Sequence, residues 1–387
     1  MKTHPAYIVA VLLIIEGAIL FLAERPVGKK IFKVLPSMFW IYFLPMLANT
    51  FGLLPAESPV YRLLTQWMLP AALIVLLLSA DIGGITRLGP TALGVMAAGM
   101  IGIMLGAPVV LLVFGHWLPA NAWQGIGPLS GSWIGGSANM VAVKEAIKTP
   151  DDLFKRIIIV DTIVPYAWMG LLIALSSHQQ KFDRWNHSNT KLIEELAKRT
   201  ATNGPATKIR FSITGLLMIF LIAAMGTVIA VIGSNQLPAV KNIISPIAWS
   251  VIIATILGVC ISFTPASRLQ SSGSNRIGFI MLYLVLASIG AKTRLSYMAD
   301  LPIFLIVGFT WIGIHAVCLL LAARLLKAPM ALAAAASQSC IGGPASGPII
   351  AGIYHPDLAS VGLLLAVLGN ILGTFLALFT TRLCRLL

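Results

Sequence analysis

Charge is scarce in this chain, and acid scarcest of all. Lys, Arg, Asp and Glu make up 10% of the 387 residues, and only 13 of them are acidic. A soluble domain carries about 25% charged residues, so an ordinary water-soluble domain is excluded. Hydrophobic residues fill 58% of positions and the mean hydropathy is +0.91, which points to an all-α polytopic membrane protein. Cysteine is nearly as rare. Cys260, Cys318 and Cys384 fall in or beside apolar segments and Cys340 sits among small residues. No C-x-x-C or Cys/His spacing occurs, so disulfide and metal-site readings have little support. The formal charge of +14 does not indicate nucleic acid, because the bases are scattered over short loops with no basic stripe. Interfacial Lys and Arg on a bilayer protein explain it better. Nor is the N-terminus a convincing signal peptide: Glu16 interrupts the apolar run that starts at Ala6, and no A-x-A site follows.

What is present is a series of apolar runs. A span needs about 20 mostly apolar residues. Segments near 6–23, 31–54, 60–80, 91–114, 155–176, 211–233, 245–264, 275–291, 301–323 and 357–381 qualify. The one sizeable hydrophilic piece, 177–210, carries seven Lys and Arg and separates residues 1–176 from 211–387. Within it Asn189 to Thr200 is expected to form a short surface helix, with Glu194 and Lys198 at i,i+4.

The two halves align without a gap. Ile82–Leu88 (IGGITRL) meets Ile289–Leu295 (IGAKTRL) with five identities in seven, at an offset of 207. At that same offset Ser130–Asn139 (SGSWIGGSAN) meets Ser337–Ser346 (SQSCIGGPAS) with six identities in ten. Internal repeats of this kind mark transporter folds. Two topologies satisfy the pattern. If 117–148 and 328–355 are re-entrant hairpins, each half has five spans and the halves are inverted repeats. If both cross as broken helices, each half has six spans and the halves are parallel. The positive-inside rule favours the hairpins modestly, with the linker cytoplasmic. Lys144, Lys148, Lys155 and Arg156 count against them, since the hairpin topology puts these four outside.

The paired stretches are the candidate site. Gly135-Gly136 and Gly342-Gly343 interrupt helix and free backbone N–H and C=O groups. Ser130, Ser132, Ser137 and Asn139 in one copy, and Ser337, Gln338, Ser339 and Ser346 in the other, add polar side chains. A helix starting after such a break suits a carboxylate, and unwound carbonyls suit Na⁺. The competing explanation is close helix packing through small residues; duplication beside Ser and Asn favours the site. Pro344 breaks helix more strongly than its counterpart Ser137.

Asp161, a few residues into an apolar run and followed by Thr162 and Pro165, is the acid expected to hold Na⁺ or carry a proton. The alternative is a helix-end acid paired with Arg156. Its repeat position is Leu368, and Asn370, two places on, is the nearest polar counterpart. Asp81 suits a helix-terminal role, Glu16 a partner at a site or subunit interface, and His315 a hydrogen-bonded packing role. Ser132 in Ser-Gly-Ser-Trp gives weak support to an intramembrane serine hydrolase.

Over residues 131–146, GSWIGGSANMVAVKEA, the chain resembles the YjcL-like family of integral membrane proteins of bacteria and plant plastids. More distantly it is similar to inverted-repeat sodium-coupled carriers for glutamate, citrate and bile acids, and to sodium–proton antiporters. That resemblance implies a homodimer with a scaffold and an elevator-type transport domain. It departs from the antiporters in having Thr162, not a second acid, after Asp161. The expectation is therefore a secondary transporter, not an enzyme, in a bacterial inner membrane. It moves a small carboxylate-bearing solute with Na⁺ or H⁺ and needs no cofactor beyond that ion. The rival expectation is a cation–proton antiporter without organic substrate.

Overall fold

The computed structural model describes residues 4–26, 28, 31–32, 37–78, 82–200, 212–237, 246–293, 300–355 and 358–387, and among these there is no strand. Asp81, Lys29, Lys30, Lys33 and linker positions 201–210 fall outside the described residues.

Among the described residues, eight of the ten expected spans are helices long and apolar enough to cross a bilayer. In chain order the helices are α1 (Pro5–Ala23), α2 (Ser37–Thr50), α3 (Pro59–Leu78), α4 (Ile82–Thr86), α5 (Gly89–Phe114), α6 (Trp123–Gly135), α7 (Ser137–Ala146), α8 (Asp151–Leu175) and α9 (Gln179–Asn186). They continue with α10 (Lys191–Thr200), α11 (Ile213–Gln236), α12 (Pro246–Ser262), α13 (Ser274–Lys292), α14 (Leu301–Leu325), α15 (Met330–Ile341), α16 (Gly343–Tyr354) and α17 (Ala359–Arg385).

The other two expected spans hold shorter helices among the described residues. Within 31–54 the described helix α2 has 14 residues, and within 245–264 α12 has 17; residues 33–36 and 238–245, just before them, lie outside the described residues. Helix α2 stops at Thr50 because Leu53 and Leu54 N–H turn back onto the Ala48 carbonyl, at 2.8 and 3.2 Å. An apolar window cannot register such a turn, since Phe51, Leu53 and Leu54 keep the hydropathy high.

The chain divides into two compact, interleaved units. The first comprises residues 1–79, 145–162 and 209–299; the second comprises 80–144, 163–208 and 300–387. Each therefore draws on both halves of the sequence.

In the first unit α3 is the central helix, packed on by α11, α12 and α13. Gly226, Gly258 and Gly278 face Ile74, Leu77 and Leu76, so one small residue on each neighbour lets it approach α3 closely. Ala71, Val75, Ile219, Ala223 and Ile277 fill the contact. Asn49 Nδ2 donates to the Ala291 carbonyl at 2.6 Å, fastening α2 to α13. On the outer side of α11, Ile213, Leu217, Phe220, Leu221 and Ile232 are exposed. Spaced at helical period, they form a face suited to lipid.

In the second unit α5 packs on α14 and α6 packs on α17. Gly99, Gly102 and Gly106 form a stripe along α5, against which His315, Cys318 and Trp311 of α14 lie. Trp311 Nε1 donates to the Ile103 carbonyl at 2.8 Å, so the indole is satisfied in a wholly buried position.

The hydrophilic segment forms α9 and α10, the latter within two residues of the expected surface helix. Its first part is fastened down. Asp183 Oδ1 accepts the Met330 N–H at 2.8 Å and so caps α15, while Asn186 Nδ2 donates to the Ala323 and Ala328 carbonyls. Arg324 stacks over the Trp185 ring at 4.9 Å and donates to its carbonyl.

Candidate functional site

Both glycine stretches are hairpins of two short helices. In the first, Gly136 N–H bonds back to the Ser132 carbonyl at 2.6 Å and ends α6. The Gly136 carbonyl then accepts from Asn139 and Met140 N–H and starts α7. One residue does both because φ is +86° with ψ 179°, a region essentially confined to glycine. In the second, Gly342 N–H bonds to the Gln338 carbonyl at 2.8 Å, and Gly343, with φ +61°, opens α16.

The segments double back at these points. Residues eight apart on a straight helix are about 12 Å apart. Here a Cβ placed on Gly131 would lie 3.0 Å from the Asn139 carbonyl oxygen, and one on Gly347 would lie 3.0 Å from Ser339 Cα. Gln338 Nε2 also reaches Ser346 Oγ at 2.8 Å. The choice left open by the sequence, hairpin or crossing broken helix, falls to the folded-back form.

The two turns meet. A Cβ on Gly343 would stand 3.7 Å from Gly136 Cα, and one on Gly136 would stand 3.4 Å from Asn370 Oδ1. Each turn places the last carbonyls of one arm beside the first N–H groups of the next. Among the described residues, no hydrogen bond uses the N–H of Ser137, Ala138 or Gly343.

Several of the expected binding side chains serve the protein itself. Asn139, 2% exposed, donates through Nδ2 to the Gly135 carbonyl at 2.8 Å and to the Asn370 carbonyl at 3.2 Å. Its Oδ1 accepts from Thr374 Oγ1. It is a clasp holding the first turn to α17. Gly135, Gly369 and Gly373 allow this, since a Cβ on any of them would run into the clasp or the facing backbone. Ser130 Oγ donates to the Gly127 carbonyl and Ser339 Oγ to the Gly362 carbonyl, at 2.7 and 2.8 Å.

Ser337 belongs to a relay of the same kind. Trp168 Nε1 donates to Ser337 Oγ at 2.9 Å, and Ser337 Oγ lies 2.9 Å from His315 Nε2. His315 Nδ1 lies 2.8 Å from the Gly99 carbonyl, which can only accept, so the proton sits on Nδ1. Ser337 must then donate to Nε2. A Ser–His contact of this length is also what a hydrolase uses. Here both residues are wholly buried and the serine oxygen already accepts from an indole, so we assign the relay to packing. His315→Ala is expected to lower stability by about 3 kcal/mol, from a cavity plus two orphaned partners. A thermal denaturation midpoint equal to wild type in detergent would contradict that role.

Left uncommitted at the turns, among the described residues, are the Gln338 amide oxygen, buried with no hydrogen-bond partner, and the side chains of Ser137 and Asn370. Ser132 is buried in α6, four residues before the turn. Asp161 and Thr162 belong to the first unit, on α8; Asp161 is partly buried and Thr162 Oγ1 bonds to the Ile158 carbonyl at 2.7 Å. The participants that sequence reasoning missed are Trp168, Gly369, Gly373 and Thr374. For the last three a signal was present: with Asn370 they make two small–polar pairs at i,i+4 on an otherwise apolar helix. Trp168 offers none.

A curated relative, the uncharacterized membrane protein YjcL of Bacillus subtilis (strain 168), is 23% identical over 347 residues, 86% of each chain. The family described as "Protein of unknown function (DUF819)" matches residues 11–387. The paired turns thus lie wholly within the matched region, and the chain is a membrane protein belonging to that family.

Proposed function

We propose that the protein is a secondary active transporter for a small carboxylate-bearing solute (amino acid, organic acid or small peptide), coupled to Na⁺ or H⁺. The observation that carries this reading is the meeting of the two hairpin turns at Gly136 and Gly343. Irregular backbone in so apolar a chain is tolerated where it is buried in protein or lines a cavity, and two such points brought together offer donors and acceptors from four helix ends. Small-residue packing alone does not explain N–H groups left without acceptors.

Function then follows an elevator-type cycle in a homodimer. The unit that holds both turns moves with its cargo, while the other serves as scaffold. Coupling runs through Asp161, with Thr162 beside it as a supporting oxygen ligand. The inner membrane of a bacterium is the setting this reading requires.

Purified protein in liposomes should accumulate a carboxylate-bearing solute when a Na⁺ or H⁺ gradient is imposed, and not without one. Asp161→Asn should cut gradient-driven uptake by about tenfold or more, equivalent to about 1.4 kcal/mol. Solute binding, read by thermal shift, should survive that change. Unchanged uptake in Asp161→Asn would remove Asp161 from coupling. Gradient-driven ion flux with no solute present would favour a cation–proton antiporter instead.

A further inference from the structure

We infer that the cargo is a zwitterion of the α-amino acid class, and that Gln338 reads its ammonium group. This rests on the reading that the hairpin turns hold the cargo.

The turns are electrically mixed. A helix N-terminus carries about half a positive charge and a C-terminus about half a negative one. Because each segment doubles back, the end of α6 adjoins the start of α7, and the end of α15 adjoins the start of α16. The long-range fields cancel. What remains is local: N–H donors at Ser137, Ala138 and Gly343 beside helix-end carbonyls. Such a place suits a molecule with both signs of charge better than a purely anionic one.

Gln338 supplies the independent observation. It is 1% exposed and sits at the end of α15, where its Nε2 donates to Ser346 Oγ at 2.8 Å. A Cβ on Gly342 would run into that same amide, so the group lies against the turn itself. Its Oε1 is buried and, among the described residues, has no partner. A buried acceptor left unmade is costly, and a ligand donor removes that cost. A carboxylate oxygen would be repelled by this atom, whereas an ammonium brings three donors. Asn370 Oδ1, facing Gly136, is a second acceptor with no hydrogen bond of its own among the described residues. The ligand's carboxylate is then left for the free N–H groups and the Ser346 hydroxyl proton.

A bound Na⁺ would satisfy the same oxygen, so the test must separate the two cations. Thermal shift on the full-length protein in detergent would use the common L-amino acids, their des-amino analogues (glutarate for glutamate, propionate for alanine) and Na⁺ alone. At least one amino acid should stabilise the protein, and its des-amino analogue should not. Gln338→Leu should weaken that amino acid by about tenfold or more, a loss of about 1.4 kcal/mol. Gln338→Glu, which presents only acceptors, should keep it. Des-amino acids that stabilise as well as their parents would overturn the inference and leave the transporter intact. So would a Gln338→Leu effect confined to Na⁺, or loss of binding in Gln338→Glu, which would make the open amide atom a donor. If no solute of either class binds, the inference falls, and the transporter reading falls with it only if small peptides also fail to bind.

Discussion

Gly369→Ala is expected to leave little folded protein in the membrane. A methyl group at 369 would overlap the Ile134 carbonyl oxygen, and the reciprocal contact places Gly135 against the Gly369 carbonyl. Both obstacles are backbone, so no side chain can rotate away. Relief would require α17 to withdraw from α6, the most extensively packed helix pair of its unit. That withdrawal would also pull Thr374 and the Asn370 carbonyl off Asn139. We expect a loss of at least about 3 kcal/mol, at the upper end for overpacking. The measurement is the monodisperse fraction on size-exclusion chromatography, with the thermal midpoint of whatever survives. A wild-type profile would mean that the α6–α17 contact is looser than described.

Gly343→Asn should do the reverse, sparing the fold and stopping transport. The left-handed backbone costs an ordinary L-residue about 1–2 kcal/mol, and Asn is among the residues that tolerate it best. Space is available, since the nearest atom to a Cβ there is Gly136 Cα at 3.7 Å. The amide would, however, occupy the gap between the two turns. Uptake should fall by about a hundredfold, about 2.7 kcal/mol, with Gly343→Ala intermediate and both variants monodisperse. Full uptake by a well-folded Gly343→Asn protein would place the cargo elsewhere.

These two glycines show what one-dimensional reading can and cannot reach. Gly343 stands out because it is duplicated: the Gly-Gly pair recurs at a fixed offset beside Ser and Asn. Gly369 has no such signal. Its counterpart at the same offset is Thr162, and its role exists only because Gly135 comes to lie against it. The same division runs through the polar side chains. Composition and repetition picked out Asn139, Ser337 and Gln338 together, as three members of one binding set. Hydrogen-bond geometry separates them: Asn139 and Ser337 have their partners inside the protein, and Gln338 keeps an open oxygen. Partners such as Thr374 and Trp168, at 235 and 169 residues' separation, cannot be chosen from a local window.

The sequence by itself determined that this is an all-helical membrane protein with two matching breaks, because the cost of placing charge and unsatisfied backbone in lipid acts on composition directly. Hydropathy could not determine where a helix ends, as the turn after α2 shows, because a turn made of apolar residues looks the same as more helix. Only the tertiary structure decided that the broken segments fold back, that their turns touch, and which polar groups there remain unpaired. Those facts depend on contacts between residues far apart in the chain, and such contacts form or fail by fractions of an ångström at glycines that look alike in a string.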